Sequence, residues 1–368
     1  MARKYGKKNK VSLNPLDANI CLLGLPKIGK TTICKEMAEK LVGEDGYLFL
    51  EMYRENGAKY IEDIVYEDVP DWDSFCDIID DIIDNRTTDY KDLKVVFIDT
   101  IDNAIQLAEQ ESIRLWNKEN PSKRTNAINA AWGGFMKGQD KAMDLLQEKL
   151  FALRSVGIAF AVIGHVRQTT VTDPITNESY QQITSDVSQR YFNQLKKNID
   201  LIGIAYIDRE LTKNKVNGNG KELSTVKSET RKIKFRDDNY TVDSGSRMSQ
   251  IVNECGFSAD EFIKAMTDAL KAEIEKSGKS VSERKVENEK EEQKNMERIA
   301  ENEKAAKAKK SIEPLIEEIS AFLSNNKSEI SKVKPVVVKI RECGYSKPTD
   351  IDSKEDAEAI LEVIHSLE

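Results

Sequence analysis

The feature that most constrains this chain is a short loop motif at residues 24–31. These residues read GLPKIGKT and match the pattern GxxxxGK[ST] at every fixed position. A run of apolar residues precedes the loop, and the segment after it carries apolar side chains at helical spacing. A strand, a glycine-rich loop and a helix in this order form a phosphate-binding loop. The motif therefore predicts an α/β fold with a nucleotide site, rather than a simple glycine turn before a helix.

The residues of this loop have separate predicted roles at the phosphates. Glycines allow backbone N–H groups to surround phosphate oxygens, and the N-terminus of the following helix adds partial positive charge. Lys30 is expected to reach the β- and γ-phosphates, and the hydroxyl of Thr31 is expected to coordinate Mg²⁺. The predicted nucleotide-binding residues are Gly24, Pro26, Gly29, Lys30, Thr31 and Thr32.

Short apolar runs alternate with helix-patterned segments through the first half of the chain. Continuous apolar runs are typical of strands that are buried on both faces, and their alternation with helices predicts a mostly parallel sheet flanked by helices. Beyond them, Asn-Gly-Asn-Gly at 217–220 predicts the turn of an antiparallel hairpin between 201–213 and 223–236. A helix is expected at about 258–275. The predicted central strands are 19–23, 47–50, 93–98, 158–163 and 201–207.

Two carboxylates end predicted strands, at the sheet edge where the loop also lies. Asp99 ends the run LKVVFID and is predicted to act beside Thr31 in holding Mg²⁺, although such an Asp is also a common helix cap. Glu51 ends the run YLFLE and is predicted to be the catalytic base. Glu55 and Asp102 are alternatives for that role, and a surface glutamate is the simpler interpretation of Glu51.

His165 and Arg167 follow another buried run, IAFAVIG. The ring of His165 is predicted to contact the γ-phosphate and to report hydrolysis to the following segment, although a lone histidine is more often structural. Arg167 is a candidate to enter the site of a neighbouring subunit, and Arg209 and Arg236 compete with it for that role.

The composition limits the other classes of protein. The chain carries a net charge of −8, which argues against a surface that binds nucleic acid all over but allows a local basic face. Five scattered cysteines and two histidines argue for reduced thiols and against a zinc site. No apolar run reaches the ~20 residues that cross a bilayer, so we expect a cytoplasmic protein without a membrane partner.

Changes in composition predict four segments. Residues 1–14 form a basic tail, and residues 15–270 form the α/β domain. More than half of the residues from 271 to 310 are charged, which predicts a solvated helix or a linker. Apolar periodicity returns at 311–368 and predicts a small helical module.

Together these motifs resemble RecA-like P-loop ATPases, and among them a phage-encoded AAA-type group associated with recombination and single-strand annealing. The resemblance covers about residues 15–270. It depends on the loop at 24–31, Glu51-Met52, Asp99-Thr100 and Gly164-His165, which in that family are the phosphate loop, catalytic glutamate, Mg²⁺ aspartate and γ-phosphate sensor. Residues 132–135, Trp-Gly-Gly-Phe, are also similar to the phage group. The recombinases usually carry glutamine where this chain has His165, so the coupling mechanism stays open.

The resemblance implies a DNA-stimulated ATPase that uses ATP and Mg²⁺, forms a ring or filament with ATP between subunits, and acts on single-stranded DNA in a bacterial host cell. The polar segment 167–197 would then face DNA, unless it is an ordinary solvated loop followed by a helix with Tyr191 and Phe192 in its core. Other expectations are a hexameric helicase or translocase, or a nucleotide-dependent scaffold whose residues 311–368 recruit a phage replication or recombination protein. The predicted DNA-contacting residues are Arg167, Arg190, Lys196, Lys197, Tyr180, Tyr191 and Phe192, with Lys232, Lys234 and Arg236 on the hairpin.

Overall fold

The computed structural model describes residues 10–173, 175–215, 222–236 and 241–367. The first nine residues of the predicted basic tail and the predicted turn at 217–220 lie outside this range. The strands are β1 (Ile20–Gly24), β2 (Tyr47–Met52), β3 (Tyr66–Val69), β4 (Val95–Asp99), β5 (Ala159–Thr172), β6 (Ser179–Ser185), β7 (Leu201–Lys215), β8 (Glu222–Lys234), β9 (Gly245–Ser246) and β10 (Glu254–Gly256).

Helices connect and follow these strands. They are α1 (Lys30–Val42), α2 (Trp72–Asp84), α3 (Ile101–Glu119), α4 (Lys137–Ser155), α5 (Gln189–Lys196), α6 (Ala259–Lys276), α7 (Val281–Asn325), α8 (Ile330–Glu342) and α9 (Lys354–His365). In the part of the chain that the structure describes, none of these helices has the length and hydropathy needed to cross a membrane.

The strands form a sheet in the order β10-β8-β7-β1-β5-β4-β2-β3. From β7 to β3 every neighbouring pair is parallel. β7 and β8 form the antiparallel hairpin that the turn signal predicted, and β10 adds to its outer strand. The prediction of an α/β fold with a mostly parallel sheet and an antiparallel hairpin is confirmed.

Each central strand is buried on both faces, which explains the continuous apolar runs. In β1, Cys21 and Leu23 pack in the core beneath α2, α3, α4 and α5. Ile20 and Leu22 point the other way, into a second core beneath α1 and α6. Because side chains alternate across a strand, one unbroken apolar run supplies both cores.

Four strands lie where no strand was predicted: β3, β6, and the short strands β9 and β10 of two and three residues. β3 is an edge strand whose first three residues are exposed, and β6 is a polar strand paired antiparallel with the far end of β5. Neither strand is buried on both faces, so neither leaves an apolar run in the sequence. The segment 167–197 contains the end of β5, β6 and α5, so the helix of the alternative interpretation is present, but much of the expected loop is strand.

The chain divides into two units. One comprises the residues up to Ile83 together with Tyr90–Gln293, and the other comprises Asp84–Asp89 and the residues from Lys294 onward. The second unit has an apolar core of its own, which includes Ile319, Val336 and Ile360. The charged segment 271–310 is largely helical, and α7 continues through the boundary expected at residue 310. The predicted division of the chain into four segments therefore remains a prediction.

Candidate functional site

The loop between β1 and α1 closes on the end of the sheet. Gly24, the last residue of β1, lies so close to β7 that a Cβ there would be 2.9 Å from the Cβ of Ala205. Gly29 has a φ of +105° and caps α1, a backbone conformation that L side chains rarely adopt. These two positions require glycine for different reasons, close approach and a left-handed φ. Of the other predicted loop residues, Pro26 and Thr32 are exposed.

Lys30 begins α1, and its side chain folds back over the loop. Nζ donates to the carbonyl oxygens of Gly24 at 3.1 Å and Leu25 at 3.0 Å. Burial lowers the pKa of Lys30 from its ordinary value, and the nearby carboxylates of Asp99 and Asp102 oppose that shift. The ammonium group is therefore held at the loop in a partly desolvated place, where its attraction to an anion is strengthened.

Thr31 and Asp99 meet across the site. The hydroxyl of Thr31 donates to Oδ2 of Asp99 at 2.6 Å. Asp99 is only 3% exposed, and this burial raises its pKa to about 6, with the charges of Glu55 and Glu51 adding to the shift and the Thr31 hydrogen bond opposing it. A cation bound beside this buried acid would stabilise its ionised form.

The donor atoms at this place fit a magnesium ion. The Thr31 hydroxyl and the Asp99 carboxylate are hard oxygen ligands, which Mg²⁺ prefers, and it typically takes only one or two carboxylates from the protein. Next to them, the buried hydroxyl of Thr100 has no hydrogen-bond partner among the described residues. An orphaned buried hydroxyl beside a buried acid indicates a polar ligand at this position.

Glu51 is the next-to-last residue of β2 and lies beside Asp99 in the β2–β4 pairing. Its carboxylate is buried, and Oε1 accepts a hydrogen bond from the backbone N–H of Ala58. Glu55 lies nearby, since both carboxylates approach Gly57. The structure thus brings Glu51 and Glu55 to the same edge as Asp99.

His165 is paired with Asp102 rather than standing alone. In the β1–β5 pairing His165 lies beside Gly24, the first residue of the loop. Oδ2 of Asp102 lies 3.1 Å from Nδ1 of His165 and also accepts from its backbone N–H at 3.3 Å. Asp102, an alternative base in the sequence, therefore holds the imidazole, and Nε2 is left for another contact.

The three candidate arginines lie in different settings. Arg167 is exposed on β5, and its Nε donates to the carbonyl of Ser185 at 3.3 Å. Arg209 pairs with Glu229 across the β7–β8 hairpin at 3.4 Å. Arg236 is half-buried and donates to the carbonyl of Met248 at 2.9 Å. Arg167 and Arg209 are thus exposed, whereas Arg236 is half-buried.

Two aromatic residues expected to stack on DNA bases lie in the core. Tyr191 is 6% exposed and Phe192 is 2% exposed, because the apolar face of α5 packs under the sheet. The hydroxyl of Tyr191 donates to Glu109. The expectation that these rings stack on bases was wrong, and the alternative that placed both rings in the core of a helix is confirmed. Tyr180 is half-buried on β6.

Several of the expected phosphate-binding cations are already paired. Arg190 donates to Asp140 at 2.9 Å, and Lys196 contacts Asp243 at 3.0 Å. On the hairpin, Lys232 lies 3.0 Å from both Asp208 and Glu254. Lys234 stands over the ring of Tyr206 at 5.8 Å, whereas Lys197 is exposed.

Two residues that support the loop were missed in the sequence. Arg231 on β8 donates from Nη1 to the carbonyl of Ile28 at 3.2 Å. Phe257, just after β10, places its ring so that a Cβ on Gly29 would be 3.3 Å away. Both come from the hairpin side of the sheet, so only the β7–β8–β10 pairing brings them to the loop. No local motif marks them.

The strand order, the loop and the carboxylates beside it define a RecA-like P-loop fold. The chain belongs to the AAA domain family, whose model matches residues 16–248, and it is an AAA-type P-loop ATPase domain. Family membership implies nucleotide binding, typically with Mg²⁺.

Comparison with solved structures finds the crystal structure of the flagellar accessory protein FlaH from Methanocaldococcus jannaschii. The match covers 63% of this chain and 84% of that chain, with 9% sequence identity and a TM-score of 0.30. No curated protein matches the chain.

Proposed function

We propose that this chain is a magnesium-dependent ATPase that forms a homo-oligomer and acts on single-stranded DNA during phage recombination or replication. One observation carries the ATPase part of the proposal. A buried lysine, a threonine hydroxyl and two buried carboxylates, Lys30, Thr31, Asp99 and Glu51, meet at one edge of the sheet beside a phosphate-binding loop.

Each of these residues has a distinct task. Lys30 exchanges its hydrogen bonds to two loop carbonyls for stronger, charge-assisted bonds to the β- and γ-phosphates. Thr31 and Asp99 would hold Mg²⁺ through their oxygens, and the bound ion would neutralise charge on the phosphates. The backbone of the loop and the N-terminus of α1 position the phosphates.

Glu51 is the proposed base. Its burial and its hydrogen bond from Ala58 fix the carboxylate at the sheet edge, where it orients a water and accepts its proton. Glu55 is the nearest alternative. His165, held by Asp102, is the proposed γ-phosphate contact, and Arg167 is the proposed arginine that enters a neighbouring subunit.

The proposed DNA substrate is supported by the resemblance to phage recombination ATPases and by exposed cations outside the ATP site. Arg167 and Lys197 remain accessible, whereas Arg190, Lys196 and Lys232 are paired with carboxylates. A ring or filament in the host cytoplasm is proposed on the same resemblance.

A scaffold that recruits a replication or recombination protein is the second candidate. The separate apolar core of the second unit favours it, because a small independently packed group of helices is a common form of docking module. In that case ATP turnover would be slow and indifferent to DNA.

The test is steady-state ATP hydrolysis with and without Mg²⁺ and a single-stranded oligonucleotide. Lys30→Ala should abolish hydrolysis. Lys27→Ala is the matched control, because Lys27 is exposed in the same loop, and it should keep turnover near the wild-type rate. Absence of Mg²⁺-dependent hydrolysis in the wild type would overturn the ATPase proposal, and hydrolysis that ignores DNA would favour the scaffold.

A further inference from the structure

The segment before α4 has an unusual backbone. Five consecutive residues have positive φ values: Trp132 (59°), Gly133 (83°), Gly134 (78°), Phe135 (51°) and Met136 (64°). Glycine adopts such angles readily, but bulky side chains rarely do. Left-handed conformations at three large residues persist only where the surroundings impose them, and they concentrate at functional sites. We refer to residues 120–136 as the α3–α4 loop.

Contacts with the two flanking helices hold this loop in place. Nε1 of Trp132 donates to both the carbonyl and the hydroxyl oxygen of Ser112, each at 3.1 Å. The Ser112 hydroxyl in turn donates to the carbonyl of Gly138 at 2.9 Å. The rings of Trp116 and Trp132 are 5.8 Å apart. These contacts anchor Trp132, the first of the five residues with positive φ, to α3 and α4.

The α3–α4 loop presents an apolar ring to solvent. Phe135 is 94% exposed, and the next residue, Met136, is 43% exposed. Phe192, by contrast, lies in the core at 2% exposure. An exposed phenyl ring removes little apolar surface from water, so Phe135 contributes little to the stability of this unit. A rigid exposed aromatic ring is, however, suited to stacking.

Exposed cations lie in the α3–α4 loop and at the adjoining ends of α3 and α4. Lys118, Lys123, Arg124 and Lys137 are exposed, and within the described ranges none of them makes an ion pair. Lys141 stands 5.6 Å above the ring of Trp132. The carboxylates of Glu111 and Asp140 are paired with Arg114 and Arg190, which leaves Glu119 as an exposed acid on this stretch. In a chain of net charge −8, this is a local basic surface.

We propose that the α3–α4 loop binds single-stranded nucleic acid, with Phe135 stacking on a base and Lys123, Arg124 and Lys137 contacting phosphates. An exposed aromatic ring in one loop with exposed cations has the chemistry that single strands recognise, because every base has a face for stacking and the backbone is a line of negative charge. A protein partner is the alternative occupant, and the experiment below distinguishes it from a nucleic acid. This inference rests on the DNA part of the proposed function and moves the contact away from residues 167–197.

The loop is also connected to the ATP site. α3 begins directly after Thr100 and carries Asp102, which holds His165, and the same helix ends at the loop. A nucleic-acid strand bound at the loop is therefore connected through α3 to the proposed γ-phosphate contact, His165. We expect a bound oligonucleotide to raise the rate of ATP hydrolysis through this connection.

The experiment measures fluorescence anisotropy of labelled 30-nucleotide single-stranded DNA, single-stranded RNA and duplex DNA with the full-length protein over a salt series. Phe135→Ala should weaken single-strand binding about tenfold at every salt concentration without changing the salt slope. Lys123→Ala with Arg124→Ala should reduce the slope of log affinity against log salt by about 1.4. The controls are Phe151→Ala, a partly exposed phenylalanine on α4, and Lys264→Ala, an exposed lysine on α6.

Basal ATP hydrolysis is measured on the same samples. Phe135→Ala should keep the basal rate and lose stimulation by the oligonucleotide. If the protein hydrolyses ATP but no single strand binds, or if Phe135→Ala binds like Phe151→Ala, the loop proposal is overturned while the ATPase stands. Equal binding of duplex DNA, insensitive to Phe135, would also overturn it. If Phe135→Ala instead changes only the oligomeric state, the loop is a protein interface and the nucleic-acid assignment is wrong. Failure of basal hydrolysis identifies failure of the proposed function itself.

Discussion

Replacing Asp99 by Asn should stabilise the ligand-free protein at neutral pH. It should also remove the part of the pH dependence of folding stability that comes from Asp99. Asp99 is 3% exposed, and burial raises its pKa from 3.8 to about 6. Asn has nearly the same shape and keeps an oxygen that can accept from the Thr31 hydroxyl. The substitution therefore removes the charge and leaves the packing and the hydrogen bond in place.

The sign follows from proton binding. The folded protein holds the Asp99 proton more tightly than the unfolded chain, so its contribution to stability is full below about pH 3.8 and is lost as the pH rises through about 6. A change in pKa from 3.8 to about 6, at 1.36 kcal/mol for each pKa unit, lowers the free energy of unfolding by about 3 kcal/mol. Most of this loss occurs between pH 4 and pH 6. The free energy of unfolding of Asp99→Asn minus that of the wild type should therefore be larger at pH 8 than at pH 4 by about this amount.

Urea unfolding followed by tryptophan fluorescence measures this difference. The three tryptophans, Trp72, Trp116 and Trp132, all lie in the first unit, so the signal reports that unit alone. Other titrating groups are common to both proteins and cancel in the comparison. A stability difference that stays constant from pH 4 to pH 8 would refute the assigned pKa shift. Magnesium ATP should stabilise the wild type but not Asp99→Asn.

Three further substitutions test the loop and the core. Lys30→Ala should lose the stabilisation of about 2.7 kcal/mol that magnesium ATP at 100 times its dissociation constant gives the wild type, and a thermal shift assay checks this. Gly29→Ala should cost about 1–2 kcal/mol in urea unfolding and weaken ATP binding, because φ is +105° and the ring of Phe257 stands beside the new Cβ. Tyr191→Phe should cost about 1 kcal/mol by removing the hydrogen bond to Glu109, and oligonucleotide affinity by anisotropy should not change.

The sequence was informative where one local pattern determines both the backbone and the chemistry. The loop at 24–31 predicted the strand before it and the helix after it, and continuous apolar runs predicted buried strands such as β1 and β4. Asp99 could be found because it ends such a run. The parallel sheet then necessarily brought it to the edge where the loop lies.

The remaining features depend on pairings between distant segments. β6 is polar because it is not buried on both faces, so it leaves no apolar run in the sequence. Tyr191 reads as a stacking residue until α5 is seen to pack under the sheet. Arg231 reaches the loop only through the register of β8. Phe135 lies in a run of five residues with positive φ. Apart from two adjacent glycines, nothing in the sequence predicts this run.

A single site is proposed to bind and hydrolyse ATP, with Glu51 as the base. The most direct measurement compares ATP binding, by titration calorimetry with Mg²⁺, and ATP turnover in the wild type and Glu51→Gln. Gln keeps the size and an oxygen that can accept from the Ala58 N–H, but it cannot take a proton. We predict unchanged ATP affinity and loss of turnover in Glu51→Gln, with Glu62→Gln, at an exposed position, turning over like the wild type. Full turnover in Glu51→Gln would contradict the account and move the role to Glu55.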